Sequence, residues 1–211
     1  MLWMRHFQVM KSIPNRNLVL AATLNGNRVL LTFSENTSAI MEIIPLTESL
    51  FESYIEIGKK AYDHHYLHLW KNQDSSPYHE RSFTRDVLLK DLTDGTIELF
   101  LIHFEGKPAG VLKIIKDSPI HPFSGEEALL LEKIYILNVY TGKGIGKEVL
   151  AFTEQRAKEL SKKIIWLETM QNSRALHFYL AHGFEINSET LLHYDAALDT
   201  ERPMYRLVKS L

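Results

Sequence analysis

A strand that runs into a glycine-rich turn and out into a helix constrains this chain more than any other feature. The segment covers residues 129–150 and reads L-L-L-E-K-I-Y-I-L-N-V-Y-T-G-K-G-I-G-K-E-V-L. Gly142, Gly144 and Gly146 stand at alternate positions before the helix. Glycine accepts positive φ and lets backbone amides approach a ligand closely. The first turn of a helix adds unpaired N–H groups and a partial positive charge. Together these predict an anion site suited to a phosphate, with Lys143 and Lys147 adding cationic charge. A plain glycine-rich turn is the bland alternative. Two familiar phosphate motifs do not fit. The P-loop pattern G-x-x-x-x-G-K-[ST] needs one more residue between Gly142 and Gly146, and Glu148 stands where the metal-binding hydroxyl belongs. The dinucleotide pattern G-x-G-x-x-G fails because single residues separate the glycines, and the strand follows hairpins instead of opening a βαβ unit.

The rest of the chain alternates short strands and helices. Residues 42–45 read as a strand, and Thr47 as the cap of a helix reaching about Asp63, with Leu50, Phe51, Tyr54, Ile55 and Ile57 on its apolar side. Asp74-Ser75-Ser76-Pro77 reads as a loop and residues 82–91 as a second short helix. Strands over 97–104 and 109–116 flank a Glu105-Gly106-Lys107-Pro108 turn. After the long strand at 128–137 come a helix over 143–161, a strand over 163–168, a helix over 173–182 and strands over 184–192 and 203–208. Hairpins early and strand–helix–strand units late predict a mixed sheet in a layered α/β fold.

Two domain-level units are expected: an extension over residues 1–40 and a main body over 41–211. Within the extension, apolar runs at 17–24 and 28–33 surround Asn25-Gly26-Asn27, which is hairpin chemistry. Two other readings compete. A signal peptide would use Arg5, Lys11 and Arg16 ahead of residues 18–24, but that apolar run is short and far from the terminus. Alternatively Met41 is the natural start and the first 40 residues are an added leader. The extension carries Arg5, Lys11, Arg16 and Arg28 against Glu35, a charge of +3. The whole chain is at −2, so the body holds −5, which tolerates a cationic substrate and offers no global basic field for nucleic acid. No apolar run is long enough for a membrane helix. The chain has no cysteine. That excludes disulfides, thiolate metal sites and a cysteine nucleophile, and it suits a reducing cytoplasm.

Tyr140-Thr141-Gly142-Lys143-Gly144-Ile145-Gly146 closely resembles the Q/R-x-x-G-x-G/A signature of the GNAT acetyltransferase superfamily. Leu131-Glu132-Lys133-Ile134-Tyr135-Ile136 is similar to the strand that precedes that signature. The segment from Asn172 to Phe184, N-S-R-A-L-H-F-Y-L-A-H-G-F, resembles the family's second signature, N-x-x-A-x-x-F-Y-x-x-x-G-F. The two in order are far more specific than either alone. The resemblance spans roughly residues 41–211. Thr141 departs from it, standing where a long Gln or Arg is usual.

The resemblance implies an α/β fold, layered as α+β: a mixed, mostly antiparallel sheet of about six or seven strands with helices on both faces. It implies an acetyl-CoA-dependent N-acetyltransferase that moves acetyl to a primary amine by direct attack in a ternary complex. The acceptor class it favours is a small amine or polyamine. A non-catalytic acyl-CoA-binding sensor or interaction module on the same fold is the alternative. A homodimer is a common assembly in that family; neither nucleic acid nor membrane is an expected partner.

The resemblance also assigns roles. Acetyl-CoA would lie against Ile134, Tyr135, Ile136 and Leu137, against the loop of Thr141, Gly142, Lys143, Gly144, Ile145, Gly146 and Lys147, and against Asn172 and Tyr179. The loop amides would take the pyrophosphate, and the main chain of Ile134 and Ile136, freed by a splay from residues 163–168, would pair with the pantetheine arm. The Ile136 N–H would face the thioester carbonyl as an oxyanion donor. Tyr179 is the general acid for the departing thiolate; on helix pattern alone it is a half-buried aromatic beside Phe178. Asn172 is a coenzyme contact, an N-cap for the helix that follows, or both. A lysine-like amine is neutral to only about one part in several thousand at pH 7, so a base helps. Glu132 is the candidate, on the expectation that strand parity puts it on the side of Ile134 and Ile136; Glu168 is second. His64 and His68 have the spacing of H-E-x-x-H, but His65 fills the Glu position and no third ligand is evident, so no metal is expected. With Tyr62, Tyr66 and Trp70 these histidines are expected to wall the acceptor pocket, which the segment from Glu201 to Tyr205 also borders.

Overall fold

The computed structural model describes residues 18–19, 29–33 and 40–211. Among the described residues the strands are β1 (Leu18–Val19), β2 (Val29–Phe33), β3 (Ile40–Pro45), β4 (Ile97–Phe104), β5 (Lys107–Ile115), β6 (Ala128–Ile136), β7 (Ile164–Met170), β8 (Glu185–Leu191) and β9 (Pro203–Ser210). The helices are α1 (Phe51–Tyr66), α2 (Ser76–Ser82), α3 (Arg85–Thr93), α4 (Ile145–Glu159) and α5 (Arg174–Ala181). Among the described residues one open sheet takes the order β1-β2-β3-β4-β5-β6-β7-β9-β8, and only β6 with β7 is a parallel pair. The seven strands from β3 onward, mostly antiparallel, form the layered α/β sheet expected of the body. β1 and β2 pair with each other and β2 with β3; the Asn25-Gly26-Asn27 turn lies outside the described residues.

Alternation along the strands divides the apolar side chains between two cores. On β4, Phe100, Ile102 and Phe104 face one core, which α4 and α5 close with Ile145, Val149, Leu150, Ala157 and Leu176. Leu99 and Leu101 face the other, closed by α1 and α3 with Phe51, Tyr54, Ala61 and Leu88, and by Phe83 from the break between α2 and α3. Helices therefore cover both faces. α1 follows the expected apolar spacing, and Gly58 within it brings the helix against Phe83, whose ring would lie 2.3 Å from an added Cβ. The Thr47 side chain bonds Ser49 instead of a helix N–H, because a 3-10 turn at Glu48–Leu50 comes first.

Two local expectations are corrected. Residues 74–77 are not all loop: Ser76 and Pro77 open α2, where proline's missing N–H costs nothing. The helix expected over 82–91 is broken at Phe83, and Thr84 caps α3 by accepting a hydrogen bond from the Val87 N–H. The turn between β4 and β5 shortens to Glu105 and Gly106, both at positive φ, as a two-residue hairpin requires.

Candidate active site

The glycine loop leaves β6 through a short 3-10 turn at Asn138–Tyr140. Gly142 and Gly144 have φ of +75° and +83°, a region that side chains rarely enter. Gly144 is the N-cap of α4 and offers no side-chain cap, so the first N–H groups of the helix are left for a ligand. Gly146 does different work: a Cβ there would stand 3.2 Å from the Phe178 ring, so it allows α4 to approach α5. The Thr141 hydroxyl donates to the Asn138 carbonyl at 2.8 Å, which ties the residue to the turn where a long side chain is usual. Lys143 and Lys147 are both exposed, and the Lys143 ammonium lies 5.5 Å from the rings of Phe104 and Tyr140. The free amides and dipole at the start of α4 thus have the chemistry of an anion site, with Lys143 and Lys147 in the same loop and first turn.

β6 and β7 pair only from Ala128 to Leu130 and then part. Beyond that point β6 has one neighbour, β5. The Leu137 N–H donates to the Ala109 carbonyl at 2.8 Å, and Gly110 faces Ile136 in register. In an antiparallel ladder this makes Gly110 and Ile136 a non-hydrogen-bonded pair, so the N–H and C=O of Ile136 point away from β5 into the gap. Ile134, two residues back, does the same. Tyr135 and Leu137 do not: by simple alternation their main chain is turned to β5. Gly110 permits this close approach, since a Cβ on it would meet the Tyr135 carbonyl at 2.5 Å.

Tyr179 lies on α5 between Phe178 and Phe184, ring centres 5.3 and 5.6 Å away. Burial, and then the neighbouring Tyr66 phenol, push its hydroxyl well above the ordinary phenol range, so it stays protonated. Among the described residues no group accepts a hydrogen bond from it. Tyr66 belongs to the last turn of α1 and is itself pushed up to about 12 by burial and by Tyr78. The phenols of α5 and α1 therefore approach each other from the two cores, across the sheet. His65, one residue earlier, places Nε2 3.0 Å from the Ile136 carbonyl. A contact between residues so far apart in the chain leaves no signal in either local pattern, and the sequence placed His65 only in the pocket wall. Around it Tyr62 stacks on Tyr78 at 3.9 Å, and the Tyr78 and Tyr135 hydroxyls bond at 2.6 Å.

The expected side for Glu132 is corrected. β6 has a bulge where its register with β5 shifts between Lys113 and Ile114. Leu129 and Leu131 face the α4–α5 core, and so do Ile134 and Ile136, three and five residues past Leu131. The skipped residue reverses parity. Glu132 consequently lies on the α1–α3 side, bonded to Lys133 and, at 3.1 Å, to Lys113, whose other partner is Asp91 at 2.7 Å. Burial pushes the Glu132 carboxyl up, but Lys133 and Lys113 outweigh it and hold it below the usual carboxylate range. Glu168 is bonded to Arg206 at 2.9 Å on the exposed side of β7. Ser173, not Asn172, caps α5, its hydroxyl accepting from the Leu176 N–H at 3.1 Å, because the helix starts at Arg174 and Asn172 lies one position outside the cap. Asn172 is exposed and lines a cleft of about 130 Å³ with Met170, Gln171, Thr200, Glu201 and Pro203. Among the described residues no group of three or more His, Asp or Glu side chains is placed to hold a metal ion.

Comparisons with known proteins agree with this geometry. The model of the Acetyltransferase (GNAT) family matches residues 55–184. A relative from Lactobacillus delbrueckii subsp. lactis, named an uncharacterized N-acetyltransferase in the pepI 3′ region, is 23% identical over 150 residues, covering 71% of this chain and 87% of the relative. The crystal structure of the PaiA N-acetyltransferase from Thermoplasma acidophilum, in complex with coenzyme A, superposes with a TM-score of 0.64 at 16% identity, over 81% of this chain and 99% of that one. A chimera of the spermidine N-acetyltransferase SpeG from Vibrio cholerae and hSSAT superposes with a TM-score of 0.59 at 16% identity, over 81% and 95%. No helix among the described residues is long and apolar enough to cross a membrane. With its family signature spanning α1 to α5, this chain belongs to the GNAT family of acetyl-CoA-dependent N-acetyltransferases.

Proposed function

We propose that the protein acetylates the primary amine of a small molecule, with polyamines the leading acceptor class, by direct attack within a ternary complex. The observation that carries the reading is the parting of β6 from β7, which leaves Ile134 and Ile136 with main-chain groups facing a gap beside an uncapped helix N-terminus. Bound acetyl-CoA supplies the activated acetyl group. The N–H groups at the start of α4 hold its diphosphate, and the main chain of Ile134 pairs with its amide arm. The Ile136 N–H donates to the carbonyl oxygen as negative charge grows there. As the neutral amine nitrogen bonds the carbonyl carbon, the carbon–sulfur bond breaks, Tyr179 gives its proton to the sulfur, and the proton released from the new amide nitrogen passes through water to restore the phenol. Without a cysteine in the chain, no cysteinyl acyl-enzyme forms. The acidic body and Glu201 in the cleft beside β7 favour a cationic acceptor, and SpeG, a fold neighbour, is named for spermidine. Absence of cysteine also fits work in a reducing cytoplasm.

The test is thiol release from acetyl-CoA with spermidine, spermine, amino acids, aminoglycosides and lysine peptides. Turnover with the polyamines above the lysine peptides is expected. Acetyl-CoA binding by calorimetry without turnover of any amine would favour the sensor reading. No binding at all would sink the assignment of the gap and loop. Gly144→Val should weaken acetyl-CoA binding about tenfold or more, because a β-branched residue at φ +83° loses on the order of 1–2 kcal/mol before any contact with the diphosphate. Calorimetry would show it, and an unchanged Kd would remove Gly144 from the site.

A further inference from the structure

We propose that His65 is a positioning residue for the reaction: its Nε2–H holds the Ile136 carbonyl and so aims the neighbouring Ile136 N–H. The proposal rests on the acetyl-transfer reading above and deepens it. A carbonyl oxygen only accepts, so the 3.0 Å contact requires that Nε2 carry the hydrogen. That fixes the tautomer of His65.

The need for such a clamp follows from the sheet. A strand inside a sheet is held on both sides, but beyond Leu130 β6 has lost β7. Its main chain is anchored only to β5, last by the Leu137 N–H on the Ala109 carbonyl. The peptide joining Ile136 to Leu137 therefore sits at the end of a one-sided ladder, just where the chain leaves for the glycine loop. His65 replaces the bond that the missing neighbour would have made. That peptide is then gripped at both ends, its N–H by Ala109 and its C=O by His65. Two consequences follow. The Ile136 N–H, the next donor back along the strand, cannot swing. The Ile136 carbonyl is already engaged, so an amide of the coenzyme arm finds its free acceptor at Ile134, which sets the register in which the thioester lies.

His65→Ala should lower kcat roughly tenfold to a hundredfold, less than full removal of an oxyanion donor. The Kd of acetyl-CoA should stay within about threefold, since the loop amides are untouched. His65→Gln, whose amide nitrogen has the reach of Nε2, should restore most of kcat. The infrared band of a ¹³C-labelled acetyl carbonyl in bound acetyl-CoA, read without acceptor, should move toward its free value in His65→Ala and return in His65→Gln. A structural role alone would leave that band in place, so an unmoved band in a folded His65→Ala protein overturns the proposal. So does a Gln variant as impaired as the Ala variant, because it would show that the ring does chemistry the donor does not. If His65→Ala fails to fold, the Gln variant's kcat and band decide alone: wild-type values support the clamp and a shifted band overturns it. Failure of the wild type itself to bind acetyl-CoA or release thiol would instead strike the underlying reading.

Discussion

Tyr179→Phe is expected to cut kcat about a hundredfold while the protein melts and binds acetyl-CoA as before. The size is the lower end of what a positioned general acid contributes. The selectivity follows from the surroundings. The ring of Tyr179 packs between Phe178 and Phe184, and phenylalanine keeps that packing. Among the described residues its hydroxyl has no hydrogen-bond partner, so removing it orphans nothing in the fold. A thiolate leaving into an apolar space needs a proton at once, and the phenol beside it has been kept neutral by burial and by Tyr66. The same shift fixes the pH behaviour. A group whose pKa is raised keeps its proton to higher pH, so turnover should not fall off near pH 10, where an ordinary phenol ionises. Steady-state kinetics over pH 6–10 would show both. Unchanged turnover in the Phe variant would return Tyr179 to a packing role.

The parts of this protein legible in its sequence are those that depend on local chemistry. The spacing of Gly142, Gly144 and Gly146 before a helix states an anion site because positive φ and free amides belong to glycine and to helix starts anywhere. Strands with unbroken alternation, such as Ile97–Phe104, were readable to the residue. Where two short elements compete, the outcome was set by tertiary packing: Pro77 reads as a loop residue and as a helix opener equally well, and α2 forms because Tyr78 stacks on Tyr62. The gap between β6 and β7 was expected only through the family resemblance; no periodicity announces where two parallel strands part. The bulge at Glu132 and the contact of His65 with Ile136 were invisible altogether. A bulge is decided by the neighbouring strand, and the contact by how α1 lies across the sheet. The residue whose side was misplaced, Glu132, is thus the one whose argument relied on counting along a strand without its partner.

Glu132→Gln is expected to damage the fold more than the chemistry. In the folded protein the carboxylate answers two largely buried ammonium groups, those of Lys113 and Lys133. Asp91 would still face Lys113 from α3, while Lys133 would lose the carboxylate it is paired with. Breaking one member of a buried ionic cluster costs on the order of 3 kcal/mol, because the remaining charge stays desolvated. For a chain of this size that is a fall in Tm of about 6–12 °C. The pH dependence has a definite sign. Lys133 and Lys113 hold the Glu132 pKa below its unfolded value of about 4.3, so its stabilisation is complete above that pH and lost as pH falls through the folded-state pKa. The Tm difference between wild type and the Gln variant should be full at pH 7 and shrink below about pH 4. As a base Glu132 is poorly suited, since two neighbouring ammonium groups lower its affinity for a proton. Turnover of the folded variant, measured well below its Tm, should stay within about tenfold of wild type, below the hundredfold that loss of a general base usually brings. A collapse of kcat with an unchanged Tm would reverse the assignment and restore Glu132 as the proton acceptor, working from the α1–α3 face.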